Sequence, residues 1–222
     1  MNSSEEGKGD GSMAEKLIEY DVKKFADVMA SDAPAPGGGS ASALAGALGS
    51  ALVSMVCALT QGREKYKEYE EETAAVMAAA QTLKDQLLEA VDSDTDAFNA
   101  VSAAFGMPKS TDEEKAARSK AIQEGMILCI ESPLAMMHKS LDVLQLAQRV
   151  AAGFNTSSAS DLGVGVLLVK AGLHGAWLNV KINLGSLKDK EKAVAYEEEA
   201  KGILQEASAL ADSLYEKIEE ML

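Results

Sequence analysis

The sequence predicts an all-α fold, a compact bundle of about seven helices around one central helix rich in small residues. Three observations carry that prediction. No stretch alternates apolar and polar residues with period two under β-branched side chains, so no strand is expected. Most of the chain falls into segments whose apolar residues recur at helical spacing. Residues 40–60 carry no charge at all, as a helix surrounded by others requires.

Residues 1–12, MNSSEEGKGDGS, have no apolar pattern and no signal-peptide core. They read as a disordered leader or an expression scar, with Met13 as a natural start and a single domain over residues 13–222. Val22, Phe25, Val28 and Met29 then share one face of a short helix that Asp21 caps and that ends before Pro34. From Asp32 the chain runs DAPAPGGGSASALAGALGSALVSMVCALT. Pro34 and Pro36, with Gly37, Gly38 and Gly39, hold residues 34–39 out of regular structure, and Ser40 stands where it would cap the following helix. The N–H groups left open there suit an anionic or carbonyl-bearing ligand, or serve only a tight turn. Within that helix Ser42, Gly46, Ser50 and Ser54 recur at i, i+4, as do Ala41, Ala45 and Gly49, so other backbones can approach on two faces. It is long enough to cross a bilayer, but it is mostly Ala, Gly and Ser, with no aromatic belt and no Lys or Arg before it. A central helix is expected, not a membrane span.

Gly62 and Arg63 mark a break, and a long helical pattern follows over residues 66–105, ending at Gly106 and Pro108. Thr111 and Glu114 form a capping box for a helix whose apolar face includes Ala121, Ile122, Met126 and Cys129, and which Pro133 stops or restarts. Leu141, Leu144 and Ala147 mark one face of residues 134–150, and residues 153–160 read as a polar loop. Residues 161–184 form a second largely apolar helix with Gly163, Gly165, Gly172 and Gly175. After a charged turn at residues 188–192, Ile203, Leu210, Leu214 and Ile218 mark a final amphipathic helix.

Bulk properties narrow the function. A 222-residue chain that is 47% hydrophobic supports a sizeable core. Its net charge of −14, with no basic face, excludes a nucleic-acid binder. Cys57 and Cys129 sit in apolar helical runs and read as reduced core residues of a cytoplasmic protein. His138 and His174 are isolated, so no metal site is expected. The glycine loop lacks the Lys-Ser/Thr of a P-loop and follows a helix, and no G-x-S-x-G elbow occurs.

Asp92, Asp94 and Asp96, in VDSDTDAF, are more informative. Leu87, Val91, Asp94, Phe98 and Val101 share one helical stripe, whereas Asp92 and Asp96 point away from it. A carboxylate on an apolar face meets a compensating polar group or has a raised pKa suited to acid-base chemistry; both readings stand. Asp161 is by position an N-cap, with a catalytic role as the alternative. Asn179 and Asn183, at i, i+4, either read the edge of a heterocycle or bond a neighbouring helix. Lys23, Arg63, Lys65, Lys109 and Lys181 either draw in an anionic tail or belong to ordinary surface.

These segments together resemble the cyclodeaminase domain of formiminotransferase-cyclodeaminase and its stand-alone bacterial relatives, the cyclodeaminase/methenyltetrahydrofolate cyclohydrolase family. The match spans about residues 25–222 and rests on APGGGS at residues 35–40, GR at 62–63, VDxDxxAF at 91–98, PKxTxEEKxxR at 108–118, SDL at 160–162 and GxxGAxxNVxIN at 172–183. Two departures stand out. Gly153-Phe154-Asn155 replaces the family's usual GN, and Asp96 takes a position where other members carry Glu. The resemblance implies an all-helical homodimer acting on folate one-carbon units, with Asp94 as catalytic residue and no cofactor or metal. It implies a tetrahydrofolate substrate, which can carry a polyglutamate tail; the residues expected to hold it are Gly37, Gly38, Gly39, Ser40, Arg63, Lys109, Asn155, Asp161, Asn179 and Asn183. No formiminotransferase segment is present, so that transfer step is expected of a separate protein. The expected activity is formiminotetrahydrofolate cyclodeaminase, with cyclohydrolase on the same scaffold as the alternative; a non-catalytic helical interaction module is the reading from another class. Both reactions pass through a tetrahedral adduct and need one proton carrier.

Overall fold

The structure, a computed structural model, describes residues 15–222; the leader expected over residues 1–12 lies outside the described residues. The described chain is all-α. Its helices are α1 (Val22–Met29), α2 (Gly38–Thr60), α3 (Glu70–Phe105), α4 (Asp112–Val150), α5 (Ala159–Leu184) and α6 (Lys190–Glu219), with 3-10 segments at Leu17–Glu19, Glu64–Tyr69 and Thr156–Ser158.

Caps follow the sequence where a short polar side chain precedes an apolar run. Asp21 accepts from the Lys24 N–H at 2.7 Å to start α1, and Asp189 accepts from the Lys192 N–H at 3.0 Å to start α6. At α4 the Thr111–Glu114 capping box forms in both directions. Elsewhere the boundaries differ from expectation. Six α-helices stand among the described residues, not about seven, because α4 runs straight through Pro133. Proline has no N–H for the carbonyl four residues back, that of Cys129. The Asn183 side chain of α5 donates to this carbonyl at 3.0 Å, so the interruption is healed from a neighbouring helix.

Two segments expected elsewhere also move. The long helix begins at Glu70 and not near residue 66, because the chain kinks at Tyr66 (φ −117°, ψ 17°) within a 3-10 turn. Residues 153–160 are not a polar surface loop: Phe154 and Asn155 are buried, and α5 already starts at Ala159.

The core is centred on α2, which lies between α3 and α5. Ser50 Oγ donates to the Ala80 carbonyl at 2.7 Å, Gly46 faces Leu87, and Ser40 Oγ donates to the Val91 carbonyl at 2.9 Å, so α3 runs antiparallel to α2. On the other side glycines bring α2 and α5 into backbone contact. A Cβ on Gly49 would meet the Gly165 carbonyl oxygen at 2.7 Å, and one on Gly172 would meet the Ser42 carbonyl oxygen at 2.7 Å. Both α2 and the Thr156–Leu184 segment are apolar and long enough to span a membrane, with 56% and 44% of those windows buried in the bundle. Val53, Val56, Leu87, Leu144, Leu162 and Leu173, all fully buried, complete the interior.

Gly172→Val is therefore expected to destabilise the fold by about 3 kcal/mol, because the Ser42 carbonyl and the Gly46 N–H that a side chain there would meet are backbone and cannot yield. Gly202 in α6 has nothing within 4 Å of its would-be Cβ, so Gly202→Ala should be neutral or stabilising by about 0.5–1 kcal/mol. Urea denaturation of the two variants checks the contrast, and equal effects would refute the backbone-contact account.

Candidate active site

Because α2 begins only at Gly38, α3 and α5 run on past its first turn and leave a slot between them, floored by α4. Gly39 faces Asp94 of α3, and Gly38 faces Asn179 of α5. Asn183 of α5 reaches Cys129 of α4 across the floor, where Ile122, Met126 and Cys129 are each partly exposed.

Ser40, expected to cap α2, lies inside its first turn; the cap is the backbone of Gly37, with no side-chain bond. Its hydroxyl is drawn instead to the Val91 carbonyl, one turn before Asp94, and pins the two helices at the mouth of the slot. Gly38 and Gly39 are likewise helical and not loop. A Cβ on Gly39 would overlap the Asp94 carboxylate, whereas one on Gly38 would meet Asn179 Nδ2 at an ordinary 3.6 Å. Gly39 is thus the position that makes room for the acid. Gly37 is exposed, with open space around it.

Asp94 is half-buried and accepts no hydrogen bond among the described residues. Burial pushes its carboxyl above the ordinary carboxylate range. The Cys129 thiol is pushed up too, first by burial and then by the Asp94 charge, which places the two side chains in one electrostatic neighbourhood. Asn179 Nδ2 donates to the Gly175 carbonyl at 2.9 Å, and Asn183 Nδ2 donates to both the Asn179 and Cys129 carbonyls, at 2.9 and 3.0 Å. Both amide oxygens are left without a donor among the described residues. A carboxyl ready to exchange protons therefore sits opposite two amide acceptors, over an apolar floor.

Three expected site residues are elsewhere. Asn155 is buried at the far end of α2, where its N–H donates to Thr60 Oγ1 at 2.9 Å and its side-chain Nδ2 to the Leu59 carbonyl at 3.2 Å. Arg63 follows in the exposed turn. Asp161 is not an N-cap: Ser158 holds that place, and Asp161 lies within the first turn of α5. A helix of 23 residues is about 35 Å long, so these three do not join Asp94 within one chain. Lys109, exposed between α3 and α4, stands on the Asp94 side.

The neighbouring acids have other tasks. Asp92 accepts from the N–H groups of Leu17 at 2.7 Å and Ile18 at 3.4 Å, fastening the segment before α1 to α3. Asp96 is exposed and lines a different groove of about 650 Å³ with Gln86, Glu89, Glu131 and Lys139, which Asp94 does not enter. Phe98, expected on the buried stripe, is 48% exposed, because α2 has ended by that point of α3. Among the described residues no three His, Cys, Asp or Glu side chains converge as a metal site. Sequence reading missed the specific part of Gly39 and the Cys129–Asn183 contact. Only the second had a signal, the carbonyl that Pro133 orphans.

The formiminotransferase-cyclodeaminase family model matches residues 21–202. The methenyltetrahydrofolate cyclohydrolase of Methylorubrum extorquens is 44% identical over 197 residues, covering 89% of this chain and 95% of that protein. The formimidoyltransferase-cyclodeaminase of Rattus norvegicus is 32% identical over 202 residues; the match covers 91% of this chain but only 37% of that longer protein. A crystal structure of formiminotetrahydrofolate cyclodeaminase from Thermotoga maritima shares the fold, with a TM-score of 0.78 at 24% identity, covering 93% of this chain and 98% of that one.

The Asp94 carboxyl, raised by burial, binds its proton more tightly in the folded than in the unfolded chain. Its contribution to stability therefore falls as pH rises from the unfolded carboxylate value, about 3.9, through the higher folded value. Asp94→Asn is expected to be more stable than the parent at pH 7, with the gain shrinking as pH drops toward 4. Urea midpoints across that range check the sign.

Proposed function

The chain belongs to the formiminotransferase-cyclodeaminase family, enzymes of folate one-carbon chemistry, and from that premise we propose that it is a methenyltetrahydrofolate cyclohydrolase. The near full-length 44% match to a protein of that name supports this reading over the cyclodeaminase expected from sequence. The observation that carries the chemistry is the half-buried, unbonded Asp94 carboxyl at the start of α2. With the methenyl bridge in the slot, ionised Asp94 takes a proton from water as its oxygen bonds to the bridge carbon. The adduct is a neutral tetrahedral carbinolamine. Asp94 returns the proton to N-5, the carbon–N-5 bond breaks, and loss of the hydroxyl proton leaves a formyl group on N-10. The unpaired Asn179 and Asn183 oxygens suit N–H groups on the ring edge.

Cyclodeamination is the second reading, favoured by the 32% matches to formimidoyltransferase-cyclodeaminases. N-10 attacks the carbon of the protonated formimino group on N-5, and the N-10 proton passes through Asp94 to the NH2 group of the adduct, which leaves as ammonia as the methenyl cation forms. A separate formiminotransferase would then supply the substrate. A homodimer is part of the proposal. Leu48, Met55 and Leu59 of α2 and Val164, Leu167, Leu178 and Ile182 of α5 are exposed, and a second copy offers a matching apolar face.

Asp94→Asn should lower turnover by roughly 10²- to 10⁴-fold, the usual worth of a general acid-base group, while Asp96→Asn costs far less. Wild-type rate should rise with pH through an inflection above the ordinary carboxylate range, as the base ionises. Following methenyl absorbance with methenyl- and with formiminotetrahydrofolate ranks the two activities; turnover of neither would refute the folate reading. Light scattering tests the dimer, and Leu48→Glu should yield monomers.

A further inference from the structure

Two of the four phenylalanines are half-exposed, and both lie on one face of α3 just past the catalytic acid. Phe98 is 48% exposed and Phe105 52% exposed, whereas Phe154 is 3% exposed and Phe25 packs against the core. At 1.5 Å per residue, Phe98 lies about 6 Å and Phe105 about 17 Å along the helix from Asp94, all three within one stripe. α2 covers this face as far as Asp94; beyond it Ala97, Val101 and Ala104 turn inward, Val101 against Gly125 of α4, while both phenylalanine rings stay half in solvent. The track ends at a cation. Arg118 of α4 donates from Nε and Nη2 to the Phe105 carbonyl at 3.2 and 3.1 Å and stands 5.6 Å from the Phe105 ring centroid. It has no acidic partner among the described residues: Glu114, one turn earlier, accepts from the Ser110 and Thr111 N–H groups instead. Nε and one hydrogen of Nη2 are spent on that carbonyl, and the remaining guanidinium N–H groups are free for a carboxylate.

We propose that this face is an extension of the active site, in which Phe98 and Phe105 hold the p-aminobenzoyl ring of the substrate and Arg118 takes the glutamate carboxylate that follows it. The inference rests on the folate reading above. Its warrant is order: in the substrate the reacting bridge, an aromatic ring and a carboxylate succeed one another, as the acid, the two rings and the guanidinium do along α3. Half-exposed aromatic faces stack on such a ring, and a cation at the end of the track selects an acidic tail against a neutral one. Neither phenylalanine touches the reacting atoms, so they are binding and not catalytic residues.

The test is calorimetric binding of 5-formyltetrahydrofolate and of 5-formyltetrahydropteroate, which lacks the glutamate, alongside steady-state kinetics. Phe98→Ala should weaken binding of both ligands and raise KM roughly 3- to 10-fold, with kcat changed much less. Arg118→Gln should erase about 10-fold of the preference for the glutamate-bearing ligand. Phe98→Leu, which keeps bulk without a ring, separates stacking from simple filling and should fall short of wild type. Wild-type binding with unchanged affinities in Phe98→Ala and Arg118→Gln overturns this extension alone, whereas a wild type that binds neither ligand overturns the folate reading beneath it. Variants that fall to lower mass in light scattering as they lose affinity would show the face to be a contact between copies, which also overturns the proposal.

Discussion

The backbone contact between α2 and α5 is the constraint on which the rest of the molecule depends. It exists because Gly49, Gly165 and Gly172 carry no Cβ where the opposing main chain passes. Two helices this close leave no room for large side chains between them, which is why both are apolar yet poor in bulk on their shared face. Bulk is supplied from outside, by Leu87 of α3 and by Leu144 and Met137 of α4. The same contact sets where α5 lies beside the first turn of α2, and so places Asn179 next to Gly38. Fixing the core thus also fixes one wall of the slot.

The opposite wall is set by a glycine-for-acid exchange. Gly39 surrenders its side-chain volume to the Asp94 carboxylate, which sits at a helix start without receiving a hydrogen bond from it. Bonding to those N–H groups would lower its pKa, whereas burial without them raises it. The floor depends on Pro133 in turn. The missing amide hydrogen frees the Cys129 carbonyl, Asn183 fills the gap, and α4 and α5 are locked together directly beneath the acid.

Much of this could be read in advance. Helical register alone put Asp94 on the inward face of α3, and the Thr111–Glu114 pair announced the start of α4. Such features are local, set by neighbours within a turn or two. What escaped were features decided across helices. Ser40 reads as a cap by position but bonds Val91, Pro133 reads as a break but is repaired by Asn183, and Phe98 reads as core but outlasts the helix that would cover it. Arg63, Asn155 and Asp161 sort with the site by motif, yet the length of α2 holds them away; nothing in a linear pattern reports that a helix stands between two of its parts.

The glycine contact also bears on how the chain is made. When α2 leaves the ribosome it is an uncharged segment of bilayer-spanning length, and the partner it fits, α5, is still unsynthesised. All of α3 and α4 must be translated first, a delay on the order of 10 s at roughly 5–20 residues per second. α3, and then α4, cover part of it through that interval, but the face reserved for α5 stays open to whatever meets the nascent chain. A pause anywhere in α3 or α4 lengthens the time for which that glycine-lined face waits for its partner.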